Sequence, residues 1–161
     1  MHTQMEFRRI IEVQHKEFDA SALEKSWGWL QDPELKRLTM APDIDKESQR
    51  KWFENLKTRK DYYVFCTWHG DKPVGIGGLK HITEKDAELF GYIGDKYYCG
   101  KAVAIDMKNY CLDVAKNRFN LESVYTILLK NNTASYKILK RFGYEIEKDI
   151  DSDKMMMRLY L

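Results

Sequence analysis

The sequence predicts a mixed α/β fold of the α+β type: a central, mostly antiparallel sheet of about seven strands, flanked by about four helices. Three observations predict it. Residues 62–93 hold three strand-like runs separated by short turns, which argues for an antiparallel meander. Residues 91–144 then alternate strand, helix, strand and helix. Finally, Gly91 to Ala104 (GYIGDKYYCGKAVA) joins a strand end to a helix start through a glycine-containing loop. The first turn of a helix has backbone N–H groups without intrahelical partners, and the macrodipole adds partial positive charge. The loop is therefore an anion site, and a phosphate or pyrophosphate is its natural ligand.

The elements follow in order. Phe7 to Val13 (FRRIIEV) reads as a first strand. Asp19 opens a helix through Leu30, with Leu23, Trp27 and Leu30 at spacings of four and three. Pro33 biases Asp32 away from helix, so the helix pauses there, and Leu35 and Leu38 are expected to form one more turn. Thr39 to Asp45 is a loop, and Asp45 caps a helix from Lys46 to about Lys60 with Trp52, Phe53 and Leu56 on its apolar face. Tyr62 to Trp68, Val74 to Ile82 and Ala87 to Ile93 are the meander strands, and Gly77-Gly78 marks a bulge or a close backbone approach. A long helix runs from about Gly100 to Arg118, with Val103, Met107, Tyr110 and Val114 as its buried stripe. Ser123 to Leu129 is a buried strand, Thr133 to Phe142 a short helix with Tyr136 and Leu139 inward, and Gly143 its C-terminal stop. Tyr144 to Ile150 and Met155 to Leu161 close the sheet.

Composition narrows the function. The 161 residues fit one domain, 1–161, without repeat or low-complexity linker. With 27 basic and 25 acidic side chains and no basic block, the charge balance argues against a nucleic-acid partner. No apolar run approaches the roughly 18 residues of a membrane span, so no membrane partner is expected. The first ten residues lack a signal-peptide apolar region. Cys66, Cys99 and Cys111 show no paired spacing, which suits a reducing, cytoplasmic setting. Four scattered histidines with no Cys/His cluster argue against a metal site.

Two segments resemble the GNAT superfamily of CoA-dependent N-acetyltransferases. Tyr97-Tyr98-Cys99-Gly100-Lys101-Ala102 resembles the family's acyl-CoA loop, Q/R-x-x-G-x-G/A, at Gly100 and Ala102, with Tyr97 where Gln or Arg is usual. Asn132 to Tyr144 resembles the family's N-x-x-S-x-x-x-Y-x-K-x-G-F ending at Asn132, Ser135 and Gly143, with Tyr144 standing in for Phe and Leu139 for the usual Tyr. The order of elements agrees along nearly the whole chain. The resemblance implies a splay between strands 4 and 5 that takes the thioester, with acetyl-CoA or another short acyl-CoA as co-substrate and no metal. Backbone N–H groups of Tyr98, Cys99, Gly100, Lys101, Ala102, Val103 and Ala104 would cradle the pyrophosphate, with Ala102 tolerated if its φ is negative. Tyr92, Ile93 and Gly94 would lie beside the pantetheine, and Asn132 near its arm or as a simple helix cap. Lys137 and Lys140, with Arg141, would meet the 3′-phosphate or form a solvated face.

The implied reaction is direct attack of an amine on the thioester. A base must deprotonate the ammonium, and Glu88 and His81 are the candidates, Glu88 sharing a strand face with Phe90 and Tyr92. With Leu139 at the family's Tyr position, Ser135 or Tyr136 is the candidate proton donor to the thiolate, or no dedicated acid exists. The acceptor side contains Trp27, Trp29, Asp32 and Arg37, in a W-L-x-D-P-E-L-x-R run similar to two branches of the family. One acetylates ribosomal-protein N-termini and related peptides or antibiotics; the other acylates nucleotide-linked deoxy-amino-sugars of surface polysaccharides. Aromatics with cations suit a stacked base and a paired diphosphate, which favours the nucleotide-amino-sugar. Peptides, polyamines and other small amines, a homodimer, and a non-catalytic acyl-CoA sensor remain alternatives.

Overall fold

The computed structural model describes residues 4–161. Seven strands form one sheet in the order β1-β2-β3-β4-β5-β7-β6. They are β1 (Gln14–Glu17), β2 (Tyr62–His69), β3 (Lys72–Lys80), β4 (Asp86–Ile93), β5 (Ser123–Leu129), β6 (Glu145–Asp149) and β7 (Lys154–Tyr160). Every neighbouring pair is antiparallel except β4–β5, which is parallel. The helices are α1 (Ala20–Trp29), α2 (Pro33–Thr39), α3 (Lys46–Leu56), α4 (Val103–Asp113), continued by a π-helical turn over Val114–Arg118, and α5 (Thr133–Phe142).

Capping explains most helix boundaries. The side chains of Asp19, Asp45 and Asn132 accept from the N–H groups of Ala22, Ser48 and Ser135, and Gly143, at φ 99°, ends α5. The turn expected at Leu35 and Leu38 is a full helix, α2, because Asp32 caps it and Pro33 occupies its first position, where a missing N–H costs nothing. This gives five helices instead of about four.

The first strand is displaced from its expected place. Residues 7–13 are irregular, and β1 begins at Gln14. The N-terminal segment runs along α4, where side chains satisfy its polar groups: Met5 N–H donates to Asn109 Oδ1 (2.8 Å), Asn109 Nδ2 donates to Met5 O (2.8 Å), and Arg9 Nε donates to Asp106 Oδ2 (3.2 Å). With these partners the segment needs no strand neighbour.

The sheet is covered on both faces. On one, α4 and α5 pack Val103, Met107, Cys111, Leu139 and Phe142 onto Leu89, Val124 and Leu128. On the other, Ala22 of α1 joins Val64, Cys66 and Ile76, with Trp29, Trp52, Phe90 and Tyr92 packed around them. Of the two readings of Gly77-Gly78, close approach is the observed one. The β2–β3 register is unbroken there, its irregularity lying at Thr67/Trp68, and a Cβ on Gly78 would stand 2.0 Å from Tyr63 O.

Candidate active site

The sheet opens between β4 and β5. They pair only at Asp86–Glu88 with Ser123–Tyr125, while β5 stays paired with β7 along its whole length. Arg158 of β7 closes the base of the opening, its Nη1 donating to Asp86 Oδ2 (3.0 Å) and Ser123 Oγ (2.8 Å). Backbone direction follows from two bonds. Gly94 N–H donates to Val74 O (2.9 Å), so even-numbered β4 residues direct their N–H and C=O groups at β3. Leu89 O accepts from Thr126 Oγ1 (3.0 Å), so odd-numbered residues face β5. Gly91 and Ile93 therefore present N–H and C=O groups to the opening, where no β5 residue pairs with them.

The opening is a groove of about 350 Å³. Glu88, Phe90 and Tyr92 contribute from β4, Thr126 and Leu128 from β5, Ala104 and Lys108 from α4, and Asn132, Ser135 and Ile138 from the α5 side. The strand-end trio expected beside the pantetheine divides accordingly. Ile93 offers backbone to the opening and Tyr92 offers its side chain. Gly94 is turned to β3 and lies under Trp29, whose ring a Cβ would strike at 1.9 Å. Gly91, which also has no β5 partner and borders the groove, was not among the residues expected there. Counting two-residue parity along β4 finds it only once the pairing with β3 is known.

The loop before α4 has a narrower cradle than expected. The N–H groups of Tyr98 and Cys99 donate to Asp95 O (3.0 Å) and Lys96 O (3.1 Å) in a single 3₁₀ turn, so they are not free to bind an anion. The Tyr98 side chain is 3% exposed and packs in the core, its hydroxyl bonded to His69 Nδ1 at 2.7 Å. The condition set for an alanine at position 102, a negative φ, is not met. Gly100 and Ala102 both lie in the left-handed region, at φ 74° and 64°. α4 has no side-chain cap, and its first bonded amide is Asp106, donating to Ala102 O. The N–H groups of Val103, Ala104 and Ile105 therefore point out of the helix end, beside an open space over Gly100. Lys101 Nζ lies 4.6 Å over the exposed Tyr97 ring, on the rim of the loop. This arrangement fits a pyrophosphate: uncapped amides, a helix dipole and a nearby lysine.

The candidate acid–base residues separate by position. Glu88 is 8% exposed at the inner end of the groove, with Oε2 3.5 Å from Lys80 Nζ and Oε1 3.9 Å from His81 Nε2. His81, at φ 54°, stands outside the groove wall beside Tyr62, over half exposed. Ser135 lines the groove, its N–H held by Asn132 Oδ1 at 3.2 Å, so Asn132 both caps α5 and borders the groove. Tyr136 packs against the main core instead, and Leu139 is 1% exposed within it.

The acceptor end differs most from expectation. α1, α2 and their following loop send Leu30, Leu35, Leu38, Met40 and Ala41 into the groove. Trp27 stacks under Lys46 (6.0 Å). Trp29 packs edge-on to Tyr92 (6.4 Å). Asp32 caps α2 and pairs with Lys96 Nζ at 2.9 Å. None of the three lines the groove: the two α1 tryptophans pack on Lys46 and Tyr92, and Asp32 is taken up by the α2 cap and Lys96, while Leu35 and Leu38, three apart, are the α2 side chains turned inward. Arg37 does border a neighbouring shelf with Lys36, Lys154 and Asp43, and the shelf shares Met40 and Ala41 with the groove. Arg37 is held there by Glu34 (2.5 Å) and by Asn131 Oδ1 (3.3 Å), and Lys36 by Asp43. Lys140 pairs with Glu145 at 2.9 Å, and Lys137 is exposed; both lie outside the groove lining.

The chain matches the family described as an acetyltransferase (GNAT) domain over residues 9–145. Solved structures share its fold at low identity. Campylobacter jejuni N-acetyltransferase PseH in complex with acetyl coenzyme A is 16% identical, with a TM-score of 0.71 over 92% of this chain and 99% of that one. Spermidine N-acetyltransferase from Vibrio cholerae, in complex with CoA and spermine, is 15% identical, with a TM-score of 0.82 over 92% and 95%. Ribosomal-protein-S5-alanine acetyltransferase from Vibrio fischeri is 16% identical, with a TM-score of 0.76 over 98% and 96%.

Proposed function

Because the chain belongs to the GNAT acetyltransferase family and draws its acetyl group from acetyl-CoA, we propose that it acetylates the amino group of a nucleotide-linked amino-sugar. The observation that carries this reading is the basic shelf of Lys36, Arg37 and Lys154, continuous with the groove through Met40 and Ala41. A sugar placed with its amine toward Glu88 would leave its diphosphate over that shelf, where Lys36 pairs with Asp43 and Arg37 with Glu34, and Lys154 supplies the cationic excess. A polyamine would call for an acidic shelf instead. The tryptophans no longer support base stacking, so the diphosphate alone distinguishes the substrate.

Acetyl-CoA supplies the activated acyl carbon. The uncapped amides of α4 hold its pyrophosphate, and the Gly91 N–H is placed to donate to the carbonyl oxygen as negative charge develops there. Glu88 accepts the proton of the incoming ammonium, directly or through one water, while Lys80 steadies its charge. The Ser135 hydroxyl is the proton donor for the departing thiolate.

The test is thiol release with acetyl-CoA and a panel of nucleotide-amino-sugars, peptides with free N-termini, and polyamines. Nucleotide-amino-sugars are expected to turn over, Glu88→Gln to lower kcat about 100-fold, and Arg37→Glu to raise the KM for the sugar alone. Turnover of peptides or polyamines alone would refute the substrate, and an unchanged rate in Glu88→Gln would refute the base.

A further inference from the structure

The roles above leave one charged group of the groove unassigned. Lys108 stands one turn after Ala104 on α4, and both border the β4–β5 opening. Lys108 also borders a small apolar hollow beside Gly91, Met107 and Cys111, so it sits where the groove meets the free backbone of β4. Its side chain is half-buried, and among the described residues no carboxylate, carbonyl or ring holds its ammonium. The groove's other basic side chain, Lys80, faces Glu88 at 3.5 Å. The Tyr92 hydroxyl is directed to Ser26 of α1, and Thr126 Oγ1 donates to Leu89 O. Burial pulls the Lys108 pKa below the usual lysine value, outweighing the opposing influence of Cys111. A desolvated lysine spends more of its time as the neutral amine, which is the nucleophilic form.

We propose that Lys108 is a self-acylation site, its ε-amine taking the acetyl group from acetyl-CoA in the groove when no acceptor is present. The inference rests on the acetyl-CoA reading of the groove. The Nζ lone pair forms a bond to the thioester carbon, the C–S bond breaks, and a proton from Nζ leaves with the sulfur as the free CoA thiol. No further reactant is needed. The product is a neutral amide, which removes the cost of a partly buried ammonium. It also sets an acetyl group beside Gly91, in the path of the next donor. Self-acylation thus lowers the chain's activity when the acceptor is scarce and the donor abundant.

The test incubates the full chain with acetyl-CoA and no amine, followed by intact mass and peptide mapping. One acetyl group per chain is expected, on the peptide carrying Lys108. Lys108→Arg and Lys108→Met should lose it, while acetyl-CoA still raises the thermal midpoint of at least one of them. Acetyl phosphate, which needs no groove, should instead label exposed lysines such as Lys137 ahead of Lys108. After modification, the midpoint shift with acetyl-CoA should shrink. A normal midpoint shift with Lys108 unlabelled, or label spread equally over exposed lysines, would overturn the inference while leaving the groove reading intact. Absence of any shift in the parent chain would overturn the groove reading itself.

Discussion

Ala102 carries the clearest local strain of the site. A non-glycine residue in the left-handed region costs about 1–2 kcal/mol through contact of Cβ with the following carbonyl, and Ala102 sits there at φ 64°. The strained turn orients the first amides of α4 away from side-chain caps, so the penalty maintains the cradle. Ala102→Gly is expected to remove the strain, partly offset by glycine's larger unfolded entropy, for a net gain of about 1 kcal/mol, or roughly 2–4 °C in the thermal midpoint of a chain this size. A lower midpoint would show that the alanine methyl contributes packing that outweighs the strain. This feature was not legible in the sequence, because a Gly-x-Ala triplet is compatible with either sign of φ. The caps at Asp19, Asp45 and Asn132 were legible, since a short acceptor side chain before an apolar-periodic run has few other uses. Lys108 was missed for the opposite reason: a lysine in a long helix looks solvated until a gap in the sheet opens beside it.

At the scale of elements, the N-terminal segment is the instructive case. Its residues have strand-like composition, yet it is anchored to α4 by polar side chains, and the anchor continues into β1. His15 Nε2 lies 3.1 Å from Asp106 Oδ1, and Nδ1 lies 2.8 Å from Thr67 Oγ1, with the ring stacked on Tyr110 at 4.5 Å. Burial lowers the His15 pKa from 6.5, outweighing the pull of Asp106 in the opposite direction, and Arg9 lowers it further. The folded chain therefore binds fewer protons than the unfolded chain just below pH 6.5. Stability should fall as pH drops from 6.5 toward the depressed native value and remain reduced below it. Thermal midpoints of the parent chain and His15→Gln, followed from pH 7.5 downward, check this. The parent should lose more stability below pH 6.5 than the variant, and equal slopes would remove His15 as the cause. The sequence could not place this contact, because α4 and the N-terminal segment meet across about a hundred positions of chain.

For the molecule as a whole, the donor side of the site was far more legible than the acceptor side. The proposed donor site uses backbone at a strand end and a helix start, and such places are marked by glycine, by small residues and by the order of elements. The meander, the α4 stripe and the closing strands followed from the same periodicities. The acceptor side depends on which face of α2 turns inward. Leu35 and Leu38 decide that, and the more conspicuous Trp27, Trp29 and Asp32 are left to packing and capping. The proposed function divides along the sheet opening: a donor half built on backbone, and an acceptor half built on a few side chains above β4. Amide hydrogen exchange of the full chain with and without acetyl-CoA tests the placement of the donor most directly. A donor seated in the β4–β5 opening should give new protection at residues 89–94 and 100–105, with the edge strand β6 unchanged. Binding that leaves both stretches unprotected would contradict that placement.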